Sequence, residues 1–182
     1  MKWGEPIPSQ LPGVYVVSLS HDCLTTVGAL DEAPIDRIAV EEWLRRVPKL
    51  ELDRVASPTV DALVARLESF WLPDENVLYI GKATSLRTRV RQYYTTPLGD
   101  RKPHAGGHWL KTLSVLADLH VHYAEVEQPE EAEANLLGAF VRGVSAATKG
   151  RLRDPDHPFP FANLEYPRGT RKAHGIGKGT RR

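Results

Sequence analysis

The stretch VLYIGKATSLRTRVRQYY, from Val77 to Tyr94, leaves a chain few ways to fold. Asn76 to Gly81 is a run of β-branched and aromatic residues ending at glycine, which predicts a strand. A helix follows, its start signalled by Thr84 or Ser85. In it Leu86, Val90 and Tyr94 form the expected buried stripe, while Arg89 and Tyr93, four residues apart, share another face. A glycine turn between strand and helix would leave backbone N–H groups free beside Lys82, and no acid stands between Glu75 and Asp100. Such a place suits a phosphate. The commoner fate of a run such as Arg87, Arg89 and Arg91 is a solvated helix face.

One strand needs partners. GVYVVSLS, Gly13 to Ser20, has strand composition, and LHVHYAEV alternates Leu119, Val121 and Tyr123 against His120 and His122, which predicts a half-buried third strand. HWLKTLSVL is expected to be helical, and QPEEAEANLLGAFVRG places Pro129 at a first helical turn with Glu130 and Glu131 near the positive end of the dipole. Between the first two strands lie residues 21–75. They contain a short amphipathic helix over 38–47 and a better one in SPTVDALVARLESFWLP, with Ser57 as cap and Pro58 at its first position. The expected fold is α+β: a small three-stranded antiparallel sheet flanked by helices, with a helical insertion between the first two strands. The whole chain, 1–182, reads as one domain, with an acidic insertion at 21–75 and a basic C-terminal tail at 166–182, mobile or ordered by substrate.

Charge is segregated along this plan. Residues 1–77 hold 7 Lys/Arg against 13 Asp/Glu and residues 78–182 hold 17 against 10, so −6 and +7 combine to the net +1. The second part is expected to face a polyanion, and the acidic insertion is a candidate surface for a protein partner. The single Cys23 offers neither an internal disulfide nor a cysteine zinc site. No run approaches the roughly 18 apolar residues of a membrane span and the N-terminal stretch has no apolar signal-like core, so no membrane partner and a cytoplasmic location are expected.

Glu133 shares a helical stripe with Leu136, Leu137, Phe140 and Val141. A carboxylate on an apolar face needs an arginine or a metal; the alternative is a rim glutamate solvated like Glu130 and Glu131. Tyr15, Tyr79 and Tyr93 fit equally as core aromatics with hydroxyls at an edge. His120 and His122 sit on a strand face that solvent would ordinarily cover, and Gly106 and Gly107 interrupt any helix joining His104 to His108.

Taken in order, these motifs resemble the GIY-YIG endonuclease family: GVY at Gly13 to Tyr15, YIG at Tyr79 to Gly81, Arg89 eight residues later, Tyr93 four beyond that, EANLL from Glu133, and Asn163 in FANLE. The family joins its first two strands by a short turn, so the resemblance implies that residues 21–75 are inserted in that hairpin, which a surface loop tolerates. It implies metal-dependent hydrolysis of a nucleic-acid phosphodiester, DNA being the expected nucleic acid. Tyr15, Tyr79, Arg89 and Glu133 would be catalytic: Arg89 on the phosphoryl oxygens, Glu133 on a single Mg2+ (or Mn2+), and Tyr15 as general base or water-orienting phenol helped by Tyr79. A phenol serves as base only where cations stabilise phenolate. Tyr93 and Asn163 would support the site. The family's additional His or Lys has three competing counterparts, His104, His108 and Lys111. Lys82 with Arg87 or Arg91 would hold flanking phosphates, and the tail, including Arg171 and Lys172, would add salt-sensitive affinity. The alternatives are a non-cleaving nucleic-acid-binding module and a protein-interaction domain on the same fold.

Overall fold

A computed structural model of the protein describes residues 1–100, 102–103, 108–166 and 169–178. Strand β1 (Gly13–Ser18) lies at the centre of an antiparallel sheet, with β4 (Val77–Ala83) on one side and β5 (His120–Glu125) on the other. The fold is therefore α+β, built on the expected sheet. As the middle strand β1 is covered on both faces, and its burial shows no alternation; Val14, Tyr15, Val17 and Ser18 are all buried. Paired residues on neighbouring strands point to one face. Tyr15 is opposite Gly81 and Val17 opposite Tyr79, so these four share a face, while Val14 and Val16, opposite Lys82 and Ile80, look the other way.

Helices cover the two faces separately. Helix α3 (Leu86–Thr95) lies on the Tyr15 face: Leu86 Cδ1 sits 2.8 Å from where a Cβ on Gly13 would be, and Tyr93 meets Tyr15 and Tyr79. Helix α4 (Pro129–Gly143) crosses β4 and β1 on the opposite face, where Val14, Ile80 and Leu137 are buried and Lys82 reaches its carboxylates. A short helix α5 (Ala146–Arg151) follows, capped by Ser145, whose hydroxyl accepts from Thr148 N.

The insertion is built into the core. Its elements are α1 (Arg37–Arg46), the hairpin β2 (Leu50–Leu52) and β3 (Val55–Ala56), and α2 (Val60–Glu68). Asp36 caps α1, accepting from Ile38 N at 2.9 Å and Ala39 N at 3.3 Å. The apolar stripes place Val40, Trp43, Leu63, Val64 and Leu67 in the same core as Tyr15, Val17 and Trp109. Each such side chain is worth about 1.5–3 kcal/mol when fully buried, so the acidic face is the outer surface of an integral layer.

Several local expectations are corrected. Thr59, not Ser57, caps α2, its hydroxyl accepting from Ala62 N, while Ser57 turns the chain at φ 55. HWLKTLSVL forms two 3-10 turns, Leu110–Thr112 and Leu116–Asp118, instead of a helix. In α3 the third buried residue is Tyr93, 1 % exposed, and Tyr94 is half-buried. Much of the tail is ordered. Strand β7 (Thr170–Arg171) pairs with β6 (Glu165–Tyr166), and β8 (Ile176–Lys178) joins β2 across the insertion. Arg66 secures that junction, binding Asp53 at 2.5 Å and the His174 carbonyl at 2.7 Å. Among the described residues, no helix is long and apolar enough to cross a membrane.

Candidate functional site

Gly81 is inside β4, not at a turn, and its role is space. A Cβ there would lie 2.6 Å from Tyr79 Cε1, 2.8 Å from Tyr15 Cζ and 2.9 Å from the Tyr15 hydroxyl. Without a side chain, the two phenols close over the strand, their centroids 5.7 Å apart, with Tyr93 beneath at 6.2 Å from Tyr15 and 5.0 Å from Tyr79. Because β4 continues to Ala83, the helix start is not an anion site either. Leu86 N and Arg87 N donate to the carbonyls of Leu11 (3.1 Å) and Ser9 (2.8 Å), so the N-terminal segment takes the N–H groups that a phosphate would have used.

Arg89 supplies the positive charge. Half-buried on α3, it favours ionisation of Tyr15, Tyr79 and Tyr93 alike, but burial opposes it and prevails at all three. Tyr15 and Tyr93 are pushed well above the usual phenol range. Tyr79 also titrates high, but the hydrogen bond between the two hydroxyls favours its ionised form at the expense of Tyr15's. Held above the usual phenol range by burial, Tyr15 and Tyr79 keep their protons near neutral pH, which suits them to orienting a water and not to the expected role of general base.

Glu133, on the first turns of α4, has a side chain 16 % exposed and is met by Lys82 Nζ at 3.1 Å; Glu130 lies 4.0 Å from the same ammonium. The side-chain partner of this half-buried carboxylate is therefore a lysine and not an arginine. Glu133 and Arg89, which the resemblance would bring to one phosphate, come from opposite faces of the sheet, since α4 covers one and α3 the other. They approach each other around the outer edge of β4, and Tyr79 feels both charges. That edge is partly closed by the segment after α5. Asn163, 5 % exposed, donates from Nδ2 to Ile80 O and accepts at Oδ1 from Ile80 N, both at 2.8 Å, imitating the next strand, while Ala162 N donates to Leu78 O. Asn163 supports the site by fixing β4.

Two grooves flank the Lys82–Glu133 pair. One, of about 330 Å³, is lined by Tyr79, Glu133, Asn163, Arg171 and His174; the other, of about 340 Å³, by Lys82, Ser85, Thr88, Arg89, Gln92 and Glu130. Among the described residues no three His, Cys, Asp or Glu side chains converge on a metal position. A single carboxylate nonetheless fits Mg2+ or Mn2+, since magnesium commonly takes one or two carboxylates and completes its shell with water and substrate phosphate. Glu133 is the residue that would hold it, once Lys82 yields.

The remaining expected residues separate. Arg87 turns away from any ligand, donating to the carbonyls of Ile7 and Pro8. Lys111 donates to the carbonyls of Tyr94 and Thr96, and burial lowers its pKa to about 8. Lys172, 4 % exposed, donates to Pro160 O at 2.8 Å and Phe161 O at 3.0 Å, 5.5 Å above the Trp109 ring. These three are struts, not phosphate contacts. Arg91 is exposed, and Arg171 is exposed beside Glu165 at 3.0 Å. His108 lines a separate apolar slot against Trp43, with Gly99 N donating to its Nδ1, so it stands outside the tyrosine cluster. His104 lies outside the described residues. His174 was not singled out by sequence reasoning because it falls in what reads as a loose tail; the one available signal was its place between basic residues and a strand-like HGIGK.

Comparison with protein-family models, with curated proteins and with solved structures finds no match.

Proposed function

We propose that this protein is a metal-dependent endonuclease of the GIY-YIG type, hydrolysing a phosphodiester in nucleic acid, DNA first. The observation that carries the reading is the assembly at the outer edge of β4: two phenols closed over Gly81, with Arg89 and Glu133 reaching Tyr79 from opposite faces of the sheet. Such an edge can hold one phosphate between a fixed cation and an anionic metal anchor. Arg89 neutralises charge gathering on the phosphoryl oxygens. Tyr79, held in place by Tyr15's hydrogen bond, orients the attacking water through its hydroxyl. Mg2+ or Mn2+ at Glu133, when bound, supplies charge stabilisation for the leaving oxygen. Lys82, released from Glu133, and exposed Arg91 and Arg171 hold neighbouring phosphates.

A second reading has its own support. The Lys82–Glu133 pair at 3.1 Å occupies the metal anchor, which would suit a module that binds nucleic acid without cutting it. A protein-docking role would use the outer surface of the insertion, where Leu24, Val27, Ile38 and Val55 are exposed, since the inner faces of its helices are committed to the core. Nicking of supercoiled plasmid with and without Mg2+ separates these classes. The nuclease reading expects wild type to nick only with metal, Glu133→Ala to bind but not nick, and Tyr79→Phe to lose more activity than Tyr15→Phe. Binding by wild type without nicking in Mg2+ or Mn2+ would leave the second reading standing, and no affinity at low salt would leave the third.

A further inference from the structure

Leu164, Arg171 and His174 line two cavities at once. One is the groove at Tyr79, Glu133 and Asn163. The other, of about 340 Å³, is an apolar slot between the insertion and the C-terminal segment, walled by Trp43, Val47, Leu50, His108, Trp109 and Ile176. Sharing three lining residues, the two cavities are neighbours. We propose that the slot receives one unstacked nucleobase of the strand being cut, while the neighbouring phosphate lies in the groove at Tyr79 and Glu133 and Arg171 bridges the two. This rests on the nuclease reading and narrows it: the substrate is nucleic acid with an unpaired or extruded nucleotide beside the scissile bond.

The slot's chemistry suits a base. Its rings include two indoles and the imidazole of His108, half-buried and 5.7 Å from Trp43. Every nucleobase has a π-face that such rings accept without regard to sequence. The charge is where a backbone would need it: Arg171 stands at the junction, exposed, paired with Glu165 on the surface. His174 adds a directional donor. Its Nδ1 accepts from Ile176 N at 3.0 Å, which in the neutral ring leaves the proton on Nε2.

The slot is also preformed. Arg66 ties the His174 carbonyl to Asp53, and Lys172, buried between Phe70 and Trp109, clamps the carbonyls of Pro160 and Phe161. The walls therefore come from the insertion and the C-terminal segment together, which gives both elements a reason to be built into one core. A cavity of this size suits a small planar group, and a base stacked in a duplex cannot enter it.

The test uses wild-type protein. A short single-stranded oligothymidylate carrying one 5-iodouracil should photocrosslink to Trp43, His108 or Trp109, mapped by mass spectrometry. By anisotropy at one salt concentration, unmodified oligothymidylate should bind about tenfold tighter than an abasic oligomer of equal length and charge, the loss expected when one base–aromatic stack is removed. His108→Ala should reduce that preference while leaving affinity for the abasic oligomer unchanged. Plasmid nicking with crosslinks mapping only outside the slot, or with equal affinity for the two oligomers, would overturn the inference and leave the nuclease reading intact. Slot crosslinks without nicking would support a base-binding slot but defeat the nuclease reading, and with it the placement beside a scissile bond; no binding and no nicking would defeat both.

Discussion

Replacing Gly81 with alanine adds one methyl group to the protein, at the place least able to receive it. The added carbon would come within 2.6 Å of Tyr79 Cε1 and 2.8 Å of Tyr15 Cζ. Both rings are hemmed in: Tyr15 is 1 % exposed, and each has Tyr93 against it. Tyr15 cannot swing aside without displacing α3, so the strain falls on half-buried Tyr79, which must turn toward the groove it lines. Overpacking of this kind costs about 1–3 kcal/mol, which at a slope of about 2 kcal/mol per molar urea lowers the unfolding midpoint by roughly 0.5–1.5 M. The phenols must also part, so nicking should fall further than the population of folded protein does. Gly150→Ala is the control: it lies in α5, a Cβ there meets nothing within 4 Å, and alanine should add about 0.5–1 kcal/mol. Urea unfolding followed by circular dichroism, with nicking measured on the folded variant, reads both quantities. A Gly81→Ala protein as stable and as active as wild type would refute the claim that this glycine exists to let the two phenols meet.

Arg87→Ala should cost about 1 kcal/mol or more in urea unfolding, because it leaves the Ile7 and Pro8 carbonyls without their donor, and should not change the salt dependence of DNA binding. Arg91→Ala, at an exposed position, should do the reverse and lower the salt slope by about one. His174 stays neutral down to about pH 4 in the folded protein, held there by burial and by Lys172, Arg66 and Arg171, whereas the unfolded chain takes up that proton near 6.5. Unfolding therefore binds a proton between those values, and the stability held above pH 6.5 is lost as pH falls towards 4. Discounted for the ring's partial exposure the loss is about 1–2 kcal/mol, visible as a fall in midpoint that His174→Asn flattens; an equal slope in the variant would count against it.

The sheet was legible because its strands carry period-two or β-branched runs, and α4 because proline, acids and an apolar stripe agree along it. Tyr15, Tyr79, Arg89 and Glu133 could be named as candidates because the short motifs that resemble the GIY-YIG family each lie within one strand or helix. What the spacing did not carry was the environment. Whether Arg87 faces a ligand or the Ile7 carbonyl depends on the path of residues 7–12, about eighty positions away, and whether Lys172 is solvated depends on Phe70 and Trp109. Gly81 read as a turn because glycine ordinarily marks one; its actual function, clearance between two rings, arises only when β1 is set beside β4. The insertion read as an acidic surface elaboration because its acids are conspicuous in sequence, while the burial of its apolar stripes depends on distant residues such as Tyr15, Val17 and Trp109.

The central claim is that Arg89 meets a scissile phosphate at the edge of β4. Single-turnover cleavage of an end-labelled DNA in Mg2+ tests it most directly, comparing wild type with Arg89→Ala. Removing one preorganised charge from a transition state typically costs about 100–1000-fold in rate, so the variant should bind DNA within about threefold of wild type and cut it slower by that factor. Equal cleavage rates for the two proteins, or no cleavage by wild type in either Mg2+ or Mn2+, would contradict the account.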